Sequence, residues 1–189
     1  TAGKTAGLKD SWEELSKLDF DSSKTMDGWE KNHDHSDSDC RMTAFLLMDG
    51  ILEAQEVEEK YDGTYLMFDM EAIDSVARYE KLKNKRALFT TIFGDKVIAD
   101  GENPKDKLGE IWKQYGIKVN NDKASLLSLV IYDPDFKTIF VGHTGVLVTT
   151  DNGLLFVEKI AFEQPYQATR VNDMKELMGV LTKRGEYFG

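Results

Sequence analysis

The 189-residue chain contains one cysteine, Cys40, so it has no internal disulfide and must hold its fold by packing. Positive charge is scarce: 24 Lys and Arg face 34 Asp and Glu, for a formal net charge of -10. That excess repels phosphate backbones and anionic lipid surfaces, which argues against a nucleic-acid partner. No apolar run approaches the ~20 residues of a membrane-spanning helix. The longest, around residues 126–132, has the length of a strand. Internal repeats and low-complexity blocks are also absent from the sequence.

What is present is ordinary for a globular protein: 41% hydrophobic and 31% charged residues, with enough length to bury one good core. The chain reads as a single domain over residues 1–189. Residues 1–25 form a linker-like N-terminal segment, and residues 60–120 form a helical insert. The opening TAGKTAG starts at Thr1 and is small and polar, so the expectation is an N-terminus that has been cut.

Residues 1–39 are polar, with apolar patches at 8–18 and 26–29, and read as one short helix and a loop. DCRMTAFLLMDGILEAQEVEE, residues 39–59, carries Ala44, Leu47, Met48, Ile51 and Leu52 at helical spacing. The expectation is one long helix capped by Asp37 or Ser38, with Cys40 facing inward from its first turn. Residues 60–68 read as a loop or short strand, and 70–93 as one or two helices. Asn103-Pro104 opens another helix, running to about Tyr115 with Gly116 as its C-cap. The period then changes to two: residues 125–133, 137–149 and 154–162 are strands, and 168–171 is a fourth. Asn172 caps a last helix ending at Gly185. Helices followed by an antiparallel meander and a final helix make the fold class α+β.

Candidate chemistry centres on three residues. Cys40 opens a helix, where free amides and the helix dipole favour a thiolate, while Asp37 and Asp39 oppose it. A cysteine nucleophile needs a base, and the base needs an orienting group. His143 lies in the apolar strand FVGHTGVLV, where Gly142 and Gly145 leave room for a helix end or a substrate. Glu158 lies on the next strand. With a loop over 150–153 and Gly153 left-handed, Thr149 faces Leu154 and Gly145 faces Glu158. His143 and Glu158 then become diagonal neighbours on one face, roughly 7 Å apart at the backbone. Other loop lengths separate them, so the register decides.

Cysteine at a helix start, a strand histidine and a polar residue on the neighbouring strand are similar to the papain-like cysteine peptidases. The pieces HTGVLV and LLFVEKIAF resemble the histidine hairpin of the NlpC-type cell-wall peptidases. DCRMTAFLLM, VGHTGVLV and LLFVEKIAFEQPYQAT also resemble an uncharacterised family of Gram-positive surface lipoproteins, from about residue 26 onward. The resemblance implies a papain-like, NlpC-like α+β fold with Cys40 as nucleophile, His143 as base and Glu158 as orienting residue. It further implies a peptide or cell-wall-derived substrate, an extracytoplasmic location and neither cofactor nor metal. Unlike many papain-like enzymes, the chain has no Gln before Cys40 to stabilise an oxyanion. Backbone amides near Cys40 or another side chain would have to do so.

Blander readings stand beside this one. Cys40 can be a core residue, His143 a satisfied strand histidine, and Glu158 a solvent-facing residue paired with Lys137 or another lysine. His33, His35, Asp37 and Cys40 have the residue types of a zinc site, but not a known ligand spacing. The whole domain can also be a non-enzymatic surface binding module on the same scaffold.

Overall fold

A computed structural model describes residues 21–183 apart from His35, Glu56 and residues 58–60. The expected short helix over 8–18 lies outside the described residues. The 26–29 patch belongs not to a loop but to helix α1, Ser22–Asn32, which Asp21 caps by accepting from the Lys24 amide. Helical spacing places Thr25 and Trp29 together on its buried side.

The helix opening at Cys40 is much shorter than its apolar pattern suggests. Helix α2 spans Cys40–Leu47, and its cap is Asp39 rather than Asp37 or Ser38, with Asp39 Oδ1 accepting from Met42 N at 2.9 Å. The chain turns at Gly50, which takes the left-handed backbone (φ 86°) that a side chain disfavours. Strand β1, Leu52–Glu53, follows and pairs antiparallel with β3, Lys118–Val119. Cys40, Ala44 and Met48 are buried, whereas Leu47 is half exposed despite its place in the pattern.

The next stretch is more broken than one or two helices. Helix α3 covers Met67–Ser75, a 3-10 turn Ala77–Tyr79, α4 Glu80–Asn84 and α5 Arg86–Phe93. Strand β2, Lys96–Val97, interrupts the helical insert and joins the main sheet. Helix α6, Pro104–Gln114, starts as expected, with Asn103 as cap and proline in its first turn.

Four longer strands follow: β4 Ala124–Asp133, β5 Thr138–Thr150, β6 Gly153–Lys159 and β7 Tyr166–Val171. All pairings are antiparallel, and the described fold is α+β. Helix α7, Met174–Leu181, closes the described chain. Its cap is Asp173, which accepts from Glu176 N at 2.8 Å; Asn172 instead donates to the Glu176 carboxylate. Gly185 lies outside the described residues.

Two features of the sheet position the site. First, β4 covers one edge of β5 throughout, while β2 covers the other edge at residues 138–139 and β6 covers it at 145–150. The second edge is therefore open to other partners over residues 140–144. Second, Leu129 pairs with His143 but Val130 pairs with Val141, so Gly142 is an extra residue, a β-bulge. Val141 lies before the bulge and Val146 after it, an odd number of positions apart, yet both face the main core with Phe45, Phe89 and Phe93. The bulge resets the alternation and turns His143 to the opposite face. There Phe156 and Val171 pack on Leu177 and Leu181 of α7 in a second, smaller core.

Candidate active site

Gly145 sits opposite Glu158 and Thr149 opposite Leu154, with Gly153 (φ 109°) closing a tight turn. In this register His143 and Glu158 share a face. His143 Nε2 and Glu158 Oε2 are 2.8 Å apart, and both side chains are almost fully buried. Phe156, two residues before Glu158, lies edge-on to the imidazole with centroids 6.4 Å apart. Glu158 is thus neither solvent-facing nor paired with Lys137, which bonds Asp100 at 2.9 Å. The room expected beside the glycines is filled. A Cβ on Gly142 would meet Ile131 Cδ1 at 2.4 Å, and one on Gly145 would meet the Phe156 ring at 2.6 Å.

Cys40 reaches the strand from the side. The start of α2 fits the open edge of β5, where the Thr144 amide donates to the Cys40 sulfur and Arg41 Nη1 donates to Val141 O at 3.4 Å. Cys40 thus contacts the residue next to His143. The side chain is 5% exposed. Burial, and then the Asp39 carboxylate, push the thiol up to about 12, with Arg41 pulling the other way. The helix start does not win: desolvation outweighs the local dipole, and the thiol is protonated at neutral pH. Asp37, expected to act beside Asp39, is engaged by Trp29, His33 and Arg78.

Three charged residues that the sequence did not single out surround this point. Arg41 bridges two carboxylates, Asp39 at 2.8 Å and Asp69 of α3 at 2.7 Å, with a second bond from Nε to Asp69 at 3.1 Å. Asp69 is fully buried. Lys159, at the end of β6, donates to the carbonyls of Ala161 and Phe162 at 2.7 and 2.6 Å. Burial pushes its ammonium down to about 8, opposed by the nearby Asp37 and Asp39. The available signal was a lone arginine within an apolar helix pattern, CRMTAFLL, which requires a buried counter-charge. Asp69, 28 positions away, gave no local sign.

Of the zinc-type residues, His33 bonds Asp37 at 3.1 Å, Cys40 lies apart at the β5 edge, and His35 is outside the described residues. Among the described residues no three His, Cys, Asp or Glu side chains are grouped to hold a metal ion. No described helix is long and apolar enough to cross a membrane.

A family model described as a domain of unknown function, DUF4300, matches residues 1–187. The chain belongs to the DUF4300 family. No curated protein and no solved structure matches it. This DUF4300 chain holds a buried His–Glu pair, a helix-start cysteine beside it, and a charged cluster at that helix start.

Proposed function

We propose that the protein is a cysteine hydrolase acting on a peptide or amide bond, with Cys40 as nucleophile, His143 as general base and Glu158 as orienting residue. The buried 2.8 Å His143–Glu158 bond, one residue from the amide that contacts Cys40, carries this reading. Glu158 fixes the ring through Nε2, so Nδ1 is the nitrogen that exchanges a proton with the thiol. Because the thiol is held protonated, proton transfer accompanies attack rather than preceding it. Sγ turns from the Thr144 amide towards the ring and bonds to the carbonyl carbon while its proton passes to His143. His143 returns that proton to the leaving amine as the C–N bond breaks. Water, deprotonated by His143, then hydrolyses the thioester and restores the thiol. The papain-like, NlpC-like resemblance of the helix start and histidine hairpin makes bacterial cell-wall peptide the first substrate to try. The test is mass spectrometry of a cell-wall peptide mixture incubated with the protein. New fragments that disappear with Cys40→Ala and His143→Ala support the proposal; an unchanged mixture counts against it.

One observation favours a non-enzymatic binding domain instead: the thiol is buried and held protonated. In that reading Cys40 is a core residue and His143–Glu158 a satisfied polar pair. Ligand capture that survives Cys40→Ala, with no cleavage by either protein, selects it.

A further inference from the structure

The charged cluster at the start of α2 holds two carboxylates and one guanidinium. Asp39 Oδ1 caps α2 at Met42 N while its Oδ2 meets Arg41 at 2.8 Å. Asp69 grips the same guanidinium through Nη2 and Nε. Arg41 also reaches Val141 O in the open stretch of β5, so one residue ties α2, α3 and the strand edge together. Cys40 lies between Asp39 and Arg41 in sequence and at this junction in space. Tyr61, whose hydroxyl donates to Asp95 at 2.8 Å, also acts with Asp69, and the Lys159 ammonium acts with Asp39 and Cys40.

We propose that Asp39, Arg41 and Asp69 are positioning residues for Cys40 and that loss of a proton from Asp69 suppresses thiolate formation. The proposal rests on Cys40 being the reacting group of the site above. Arg41 balances one buried carboxylate. With both ionised, the cluster carries a net negative charge beside the thiol; with one proton bound, it is neutral. Burial, and then Asp39, push Asp69 up to about 7 against the pull of Arg41, so Asp69 exchanges its proton near neutrality. The same cluster fixes the helix start mechanically, because Asp39 is at once its cap and a partner of Arg41.

The test is a pH titration of thiolate absorbance in the folded protein for the wild type, Asp69→Asn and Asp39→Asn, each read against the same chain carrying Cys40→Ser. Asn keeps an accepting oxygen for Arg41 at position 69 and a capping oxygen at position 39. Removing one buried charge at contact range is expected to give roughly tenfold more thiolate at a given pH below the midpoint. Thiolate curves that coincide with wild type in the folded variants overturn the proposal. Should Asp69→Asn fail to fold, Asp39→Asn decides alone. The readout uses neither substrate nor His143, so absence of peptide cleavage leaves this result standing. Equally, coincident curves leave any observed cleavage intact.

Discussion

Gly145→Ala tests the register that places Glu158 opposite the site strand. A Cβ at position 145 falls 2.6 Å from Phe156 Cε2 and Cζ and 2.7 Å from the Val157 carbonyl oxygen. Apolar atoms prefer roughly 3.5–4.0 Å, so the ring must retreat by about 1 Å. Phe156 is fully buried against Val171, Leu177 and Leu181 and has little space to move into. The Val157 oxygen belongs to the strand backbone and cannot give way without opening the β5–β6 pairing. Overpacking of this kind costs about 1–3 kcal/mol. Replacing glycine returns about 0.4–1 kcal/mol by restricting the unfolded chain. The net expectation is a loss of about 1–2 kcal/mol, or roughly 2–8 °C in Tm for a domain of this size. Urea unfolding should show a lower midpoint with an unchanged slope. Phe156→Leu in the same chain should recover part of the loss, because the two positions share one contact. A Gly145→Ala protein as stable as wild type would refute the register, and with it the face shared by His143 and Glu158.

Gly179→Ala makes the opposite prediction. Its Cβ would meet nothing within 4 Å in the body of α7, and the variant should gain about 0.5–1 kcal/mol in urea unfolding. Asp39→Ala removes a cap and one partner of partly buried Arg41 and should cost about 2 kcal/mol, whereas Asp39→Asn keeps the cap and should cost less by the same measurement. Asp69 contributes a pH dependence of definite sign. Its folded value, about 7, lies above its unfolded one, so the native state holds the proton more tightly. Its contribution is full at acid pH and is lost as pH rises towards 7. Wild-type stability relative to Asp69→Asn should therefore fall across that interval, and parallel curves would contradict the assignment.

The sheet was largely legible in the sequence because period-two alternation and the Asp151-Asn152-Gly153 turn leave few options for β5 and β6. The His143–Glu158 pair followed from only one of the registers that this turn allows. The helix at Cys40 was overextended because Ile51 and Leu52 continue a helical spacing although the chain has already turned at Gly50. A two-residue strand in which only Leu52 is buried carries no period of its own. The Gly142 bulge was also hidden, since one extra residue changes which face a side chain takes without changing composition. Nor could local sequence weigh the dipole at Cys40 against its burial. That balance depends on Asp69 and on the β5 edge, which lie far away in the chain.

The most direct test of Cys40 and His143 as one site is the rate of Cys40 alkylation by iodoacetamide in the folded protein, across pH, beside His143→Ala. A Cys40–His143 site predicts labelling without unfolding, slowed by the histidine change, with a rate still rising above pH ~8.5, the ordinary thiol value, because the thiol is held protonated. Labelling that occurs only on unfolding, at the same rate in both proteins, would make Cys40 a structural core residue and contradict the hydrolase reading.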